Sequence, residues 1–164
     1  MKEIGYKNHY QVLNAKDYGI PQERKRVFVV SVLNNLNFKF PTPYKNVPDI
    51  KDYIDHKVDF ERYKLSDNEM HKTRRGRVGK RTAKTLTTSP NQVIYYNGKL
   101  RKLTAKEHWL LMGFDESDYN RVLHDNIKES HLYKLAGNSI VVQVLEAIFE
   151  EVLKMIKDDA LCQQ

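Results

Sequence analysis

The chain has 164 residues, enough for one domain with a substantial core, and its formal net charge of +7 favours a polyanionic partner such as nucleic acid. A soluble protein with a lysine-rich surface has the same composition, so charge alone does not decide. The single cysteine, Cys162, excludes an internal disulfide and a cysteine-based zinc site. No apolar run suits a membrane span, and the N-terminus is not a signal peptide. We therefore expect a cytoplasmic protein without a metal site or a membrane partner.

Two strands are predicted near the N-terminus, at 8–15 and 26–33. The link between them is too short for a helical crossover, so the pair is predicted to be antiparallel. The second strand, RVFVVSVL, is almost continuously apolar, which predicts burial on both faces. Two strands do not make a stable domain by themselves, so this pair must depend on other elements.

The next part of the chain reads as a linker followed by short elements. Residues 40–48 hold three prolines and are typical of a linker. The stretch DIKDYI predicts a short helix, and Ser66 with Glu69 has the spacing of a capping box. Further on, Asn97-Gly98 between β-rich flanks predicts a hairpin with a type I′ turn.

Two longer helices are predicted after the hairpin. Thr104 and Glu107 form a capping-box pattern at the start of the first helix, and Gly113 ends it. The second helix is predicted over 139–157, because its apolar residues form one wide stripe at helical spacing. The tail, 158–164, is expected to fray.

The stretch GIPQERKRVFVVS places three long polar side chains before the buried strand. In an extended chain residues two apart point the same way, so Gln22, Arg24 and Arg26 would share one side. Their amide and guanidinium donors suit a phosphate, a carboxylate or a base edge. The alternative is a solvated basic edge that prevents sheet pairing, and the spacing alone favours that alternative.

The sequence Gly137-Asn138-Ser139 opens the last predicted helix. The unpaired amides at a helix N-terminus carry partial positive charge and can bind an anion or a polar ligand. Simple capping of the helix by Asn138 or Ser139 is the other reading, and it is the better one for an isolated Gly-Asn-Ser.

A basic segment without acids covers residues 71–84, and the hydroxyl-rich run TLTTS follows it. This combination favours contacts with nucleic-acid phosphates over a merely solvated charge run. The candidate DNA-binding residues in this part of the chain are Arg74, Arg75, Arg77, Lys80, Arg81, Lys84, Thr85 and Thr87.

Three blocks together resemble the C-terminal half of the DNA cytosine-5 methyltransferases. They are NAKDYGIPQERKRVFVVS, RKLTAKEHWLLMGF and LAGNSIVVQVLEAI, and they stand in the family order. KTLTTS resembles the Thr-Leu-Thr segment near the end of the family's recognition region. The resemblance covers nearly the whole chain.

The resemblance implies an α/β fold: the C-terminal portion of a Rossmann-like, S-adenosylmethionine-dependent methyltransferase, with antiparallel end strands, a closing helix and an inserted mixed α+β target-recognition domain. The implied parts are the end of the catalytic domain at 1–38, the recognition domain at 39–125 and the closing segment at 126–157. The recognition loop would enter the major groove of double-stranded DNA.

The resemblance also implies roles for single residues. Arg24 and Arg26, with Gln22 beside them, match the wall of the pocket that receives the flipped cytosine. Gly137, Asn138 and Ser139 match residues beside the S-adenosylmethionine site. Arg101 matches the leading arginine of the middle block and joins the candidate DNA-binding residues.

The chain lacks the family's glycine-rich cofactor block, its Pro-Cys nucleophile loop and its Glu-Asn-Val block, and Cys162 has no Pro-Cys context. The hypothesis is therefore the C-terminal subunit or fragment of a bacterial or phage-like restriction-modification methyltransferase, inactive without an N-terminal partner. It predicts a partner-facing surface at the edge of the 27–33 strand and on the stripe of the last helix. The alternative is a stand-alone, non-catalytic DNA-binding module or remnant. A third hypothesis, an RNA-binding protein, is supported by charge alone and ranks last.

Overall fold

The computed structural model describes residues 5–33, 36–70, 73, 78–123 and 127–162. Its N-terminal part is a ribbon of two antiparallel strands, β1 (Tyr6–Asn14) and β3 (Lys25–Leu33). The register runs from Tyr6 opposite Leu33 to Asn14 opposite Lys25. The predicted antiparallel pair is thus confirmed.

The two faces of the ribbon have different surroundings. Leu13 and Val32 are buried on the inner face, where Phe28 and Val30 also pack against the core. On the outer face the side chain of Val27 is 65% exposed. The predicted burial of both faces is wrong for this chain, because no described element covers the outer face.

The link between β1 and β3 carries the chain across the core rather than around a simple turn. A 3-10 turn (Ala15–Tyr18) ends at Gly19, whose φ of 89° lies in the left-handed region that glycine adopts without strain. The short strand β2 (Gln22–Glu23) then pairs in parallel with β5 (Ala83–Lys84). This pairing joins the ribbon to the middle of the chain.

The middle of the chain contains short, well-capped elements. A 3-10 turn (Ile50–Tyr53) and helix α1 (Phe60–Tyr63) follow the linker, and a second 3-10 turn (Asp67–Glu69) has the expected capping box from Ser66. The linker itself has no helix or strand.

A small sheet closes this middle region. Its order is β4 (Val78–Gly79), β6 (Val93–Tyr96) and β7 (Lys99–Lys102). Asn97 and Gly98 both have positive φ, 46° and 77°, as a type I′ turn requires. The predicted hairpin is confirmed.

Four helices form the C-terminal half. They are α2 (Ala105–Leu110), α3 (Glu116–Leu123), α4 (Glu129–Asn138) and α5 (Val142–Cys162). The capping box of Thr104 and Glu107 is present, as predicted, while α3 and α4 were not predicted. Among the described residues, no helix is long and apolar enough to cross a membrane.

The last helix differs from the prediction at both ends. Gly137 and Asn138 are the final residues of α4, and α5 begins only at Val142. The amide of Val142 donates to the carbonyl of Met112, 3.1 Å away, so tertiary contact satisfies the start of α5. Helix continues through residues 158–162, which were expected to fray.

One hydrophobic cluster unites these elements. It draws on the ribbon, the link, the middle region and the helices, and its most enclosed members include Tyr18, Ile20, Ile50, Leu86, Ile94, Leu103, Leu111 and Met112. The ends of the chain therefore share one core with the middle.

Candidate cytosine and cofactor pocket

Arg24 lies between β2 and β3 and is only 5% exposed. Its Nη1 donates to the carbonyl of Leu86, 2.9 Å away. Its Nη2 donates to the carbonyls of Gly137, at 2.8 Å, and Ser139, at 2.9 Å. Burial, and then the positive charge of Arg26, lowers the pKa of Arg24 to about 10. Arg24 therefore holds its own segment against two others that are distant in sequence, at Leu86 and at 137–139.

Gln22 is fully buried beside this junction. Its Nε2 donates to the carbonyl of Leu111 at 2.8 Å, and its Oε1 accepts from the amide of Leu86 at 3.0 Å. The reading of this stretch as a solvated basic edge is wrong, since Gln22 and Arg24 are both inside the protein. Gln22 is also corrected as a catalytic candidate, because its amide is occupied by main-chain groups and lies outside the pocket described below.

Gly137 allows two backbones to touch. A Cβ at this position would lie 2.5 Å from the carbonyl carbon and oxygen of Thr87 and 2.6 Å from the amide nitrogen of Thr88. Only glycine leaves room for that approach without a shift of main chain. The first part of the Gly-Asn-Ser block is thus explained by packing against the Thr-Leu-Thr segment.

The helix-terminus argument for this block is corrected by the structure. Gly137 and Asn138 stand at the C-terminal end of α4, where free groups are carbonyls rather than amides. These carbonyls attract a cation, and Arg24 supplies it. The hydroxyl of Ser139 donates to the carbonyl of Ile140 at 3.1 Å and does not cap α5.

A pocket of about 280 Å³ lies next to Arg24 and brings the first and last blocks together. Arg26 and Asn138 are exposed at this pocket, and Ser139 also lines it. Its apolar wall comes from the first 3-10 turn, β3, the segment before α5 and the first turn of α5. It consists of Ala15, Val27, Phe28, Val29, Ile140, Val141 and Val144. Among the described residues that line it, none is acidic.

Arg26 differs from Arg24 in its freedom. Its side chain is exposed, and its one hydrogen bond to a described residue runs from Nη1 to the carbonyl of its neighbour Lys25, 2.7 Å away. A guanidinium held this way keeps most of its donors for a ligand. Of the two arginines that line the pocket, Arg26 is the exposed one.

The described candidates for DNA binding fall into two groups. Lys80 and Arg81 are exposed, and Arg81 has only a 3.5 Å contact with Asp49. By contrast, Lys84 pairs with Glu23, while the hydroxyls of Thr85 and Thr87 donate to the carbonyls of Glu23 and Ser89. The remaining candidates, Arg74, Arg75 and Arg77, lie outside the described residues.

Arg101 is not available to DNA, which corrects its assignment. It is fully buried, and its guanidinium makes a two-pronged ion pair with Glu107, at 2.9 and 2.6 Å. Glu107 also accepts from the amides of Thr104 and Asp55. The pair thus ties β7, the start of α2 and the segment that follows the Ile50–Tyr53 turn together.

Sequence reasoning missed the part played by Leu86. Its carbonyl accepts from Arg24 and its amide donates to Gln22, so the residue acts through its main chain. No side-chain pattern signals such a role; the only hint was its position inside the Thr-Leu-Thr segment.

The model of the C-5 cytosine-specific DNA methylase family matches residues 1–84 and 70–154. The chain belongs to this family. Curated relatives of this chain include the Type II methyltransferase M2.ScrFI of Lactococcus lactis subsp. cremoris, 31% identical over 172 residues, and M.HhaI of Haemophilus parahaemolyticus, 33% identical over 180 residues. These alignments cover 94% and 90% of this chain but 47% and 54% of the relatives.

Solved structures also match nearly the whole of this chain but only part of their own length. The Dnmt2 methyltransferase of S. pombe superposes with a TM-score of 0.75 at 22% identity, and the match covers 94% of this chain and 60% of the Dnmt2 chain. The Entamoeba histolytica methyltransferase EhMeth gives a TM-score of 0.73 at 18% identity, covering 97% and 56%. The mixed α/β fold is therefore that of methyltransferases, and the chain spans about half the length of the curated relatives it matches.

Proposed function

We propose that this chain is the C-terminal portion of a DNA cytosine-5 methyltransferase of a restriction-modification system. In this proposal residues 39–125 supply target recognition, and 1–38 with 126–157 supply part of the cytosine and cofactor pockets. The observation that carries it is the pocket in which Arg26, from the first block, meets Asn138 and Ser139, from the last. Curated relatives that are Type II methyltransferases support it.

Arg26 is proposed as the residue that touches the flipped cytosine. It is exposed at the pocket and its positive charge suits a carbonyl oxygen of a base. Arg24 is proposed as a positioning residue instead, because all three carbonyls that it binds belong to the pocket's own supports.

The residues present fit one side of S-adenosylmethionine. The apolar wall of the pocket suits a ring, and the exposed amide of Asn138 and the neighbouring Ser139 offer hydrogen bonds to polar groups. The bound cofactor would supply the methyl group. No described lining residue offers a carboxylate to bind the amino group of the cofactor. We therefore assign that carboxylate to a second half of the enzyme.

The nucleophile is assigned to the same second half. Attack on the cytosine ring in this family needs a cysteine thiolate, and the only cysteine of this chain, Cys162, ends the last helix. The lining of the pocket contains no cysteine among the described residues.

Two exposed apolar surfaces support docking of that second half. The outer face of the ribbon places Tyr10 opposite Val29 and Val12 opposite Val27, all at least 59% exposed. On α5, Phe149, Leu153 and Ile156 form a second exposed stripe. Apolar surfaces of this kind mark interaction sites in soluble proteins. A missing portion about as long as this chain, judged from the curated relatives, is the proposed occupant.

The test is methyl transfer from labelled S-adenosylmethionine to duplex DNA. We expect no transfer by the chain alone and restored transfer when it is co-expressed with an N-terminal methyltransferase half that carries the Pro-Cys and Glu-Asn-Val blocks. Replacing Tyr10 and Val12 by lysine should abolish the restoration by preventing docking, because both lie on the outer face of the ribbon and neither lines the pocket. Lys134→Gln, at an exposed site on α4, should not.

Two results would contradict the proposal. Transfer by the chain alone would show that the missing-nucleophile argument is wrong. DNA binding by a monomeric chain that no N-terminal half joins would favour the alternative, a stand-alone DNA-binding module. Size-exclusion chromatography with and without the second half separates these cases.

A further inference from the structure

A second surface feature, distinct from the pocket, is a cleft of about 690 Å³. Its walls come from three parts of the chain: Lys16 and Asp17 of the first 3-10 turn, residues 45–48 of the linker, and Arg81 with Thr82 of the basic segment. We call it the Lys16 cleft.

Main-chain hydrogen bonds fix these walls. The amide of Tyr44 donates to the carbonyl of Asp17 at 2.8 Å, which holds the linker against the turn. The amide of Ile50 donates to the carbonyl of Arg81 at 2.8 Å, which holds the basic segment against the end of the linker. The cleft is therefore part of the fold and not a chance gap between side chains.

A second depression adjoins the cleft, and Lys16 lines both of them. The second depression is also lined by Asn14, Glu23, Lys25 and Thr85. The pKa of the Glu23 carboxyl is lowered, first by its hydrogen bond from Lys84 and further by the charges of Lys84, Lys16 and Lys25. A cluster of cations thus surrounds the single carboxylate of this second depression.

The cations of the cleft are largely free to meet a ligand. Lys16, Lys25 and Lys45 have no carboxylate within salt-bridge distance among the described residues, and the side chain of Arg81 is 82% exposed beside Asp49. The negative groups that oppose them are Asp17, Asp49 and Glu23, the last already paired with Lys84.

We propose that the Lys16 cleft and its extension bind the phosphodiester backbone of the DNA duplex. Double-stranded DNA carries one negative charge per about 1.7 Å of its axis. Lysines and hydroxyls spread over two adjoining depressions therefore suit an extended DNA backbone better than they suit a compact anion. Lys16, Lys25 and Lys45 lie outside the basic segment and are brought to it only by folding. The inference rests on the proposed function, because it takes DNA as the substrate.

The experiment compares salt dependence. Fluorescence anisotropy of a labelled 30-base-pair duplex between 50 and 200 mM NaCl gives the slope of log K against log salt, for the chain alone and with an N-terminal half. The variant K16Q/K45Q/R81Q should bind more weakly, with a slope shallower by up to about 2.7, since each phosphate contact contributes about 0.9.

The control is K128Q/K134Q/K157Q, which removes the same charge from exposed positions of the helical half. We expect its slope to remain closer to that of the unchanged chain. An equal loss of slope in both variants, or an unchanged slope in K16Q/K45Q/R81Q, would overturn the inference while leaving DNA binding intact. Failure of the unchanged chain to bind duplex in either form would overturn the proposed function as well.

Discussion

The guanidinium of Arg24 donates a 2.8 Å hydrogen bond to the main-chain carbonyl of Gly137, 113 residues further along the chain. The same guanidinium binds Leu86 and Ser139, so one side chain holds the first block, the Thr-Leu-Thr segment and the last block in register. The alternating arginines therefore have two different tasks: Arg24 builds the pocket, and Arg26 faces it.

Replacing Arg24 by methionine should lower the free energy of unfolding by about 3 kcal/mol, because buried carbonyls lose a charged donor. Urea denaturation of the purified chain measures this. Arg24→Lys should recover part of the loss, since an ammonium reaches fewer carbonyls than a planar guanidinium. A loss no greater than that of the exposed control Arg26→Ala would contradict the pinning role.

Arg26→Ala should leave the unfolding free energy within about 0.5 kcal/mol, because the side chain is exposed. In the enzyme reconstituted with an N-terminal half, the same change should reduce methyl transfer far more than DNA affinity. Single-turnover transfer and duplex binding measure the two effects. Equal losses in transfer and affinity would count against a contact with the cytosine.

Gly137→Ala should destabilise the chain by about 2 kcal/mol or more, because the added methyl group meets the backbone of Thr87 and Thr88 at 2.5–2.6 Å. Thermal unfolding by circular dichroism measures it. Lys134→Ala, at an exposed position of the same helix, is the matched control. Equal stability of the two variants would show that the backbone contact adjusts freely.

Breaking the buried Arg101–Glu107 pair should be costly from either side. Arg101→Met or Glu107→Gln should each lower the unfolding free energy by about 3 kcal/mol, since the remaining partner stays buried. The double variant should lose clearly less than the sum of the two. Additive losses in a double-mutant cycle would show that the two side chains are not coupled.

His108 should make the chain sensitive to mild acid. It is fully buried; Nδ1 lies 3.0 Å from the carbonyl of Thr104, and Nε2 has no hydrogen-bond partner. Burial lowers the pKa of His108 to about 4. The unfolded chain therefore takes up a proton first, and stability should fall as the pH drops from about 6.5 towards 4, by about 2 kcal/mol at pH 5.

Urea denaturation at pH 7.5, 6.5 and 5 measures this trend. His108→Gln removes the titrating group, so its stability should change less over the same range. His131→Gln, at an exposed position, should follow the unchanged chain. Identical pH profiles for His108→Gln and the unchanged chain would contradict the prediction.

Local signals predicted the elements that depend on local contacts. The Asn97-Gly98 turn and the Thr104–Glu107 capping box are fixed by residues close in sequence, and both were placed correctly. The start of the last helix was misplaced because Gly137 serves a contact 50 residues away, against Thr87. The same local view missed α3 and α4.

The candidate site residues were taken from the family resemblance, and their arrangement in space could not be predicted from the sequence. Alternation grouped Arg24 with Arg26, yet nothing in the spacing tells a buried guanidinium from an exposed one. The partners of Arg24 are main-chain carbonyls, which every residue has. For Arg101, the ion pair with Glu107 depends on how β7 meets α2, and a linear motif carries no such distance.

The long reach of Arg24 also sets an order of events during synthesis. Its first partner, Leu86, emerges from the ribosome well before Gly137 and Ser139. Until then two of the three carbonyls that accept from the Arg24 guanidinium have not been synthesised. Contacts between residues so far apart in sequence also form slowly. The nascent ribbon should therefore stay unlocked until α4 has been made, and that interval is when its apolar outer face is most open to the wrong partner.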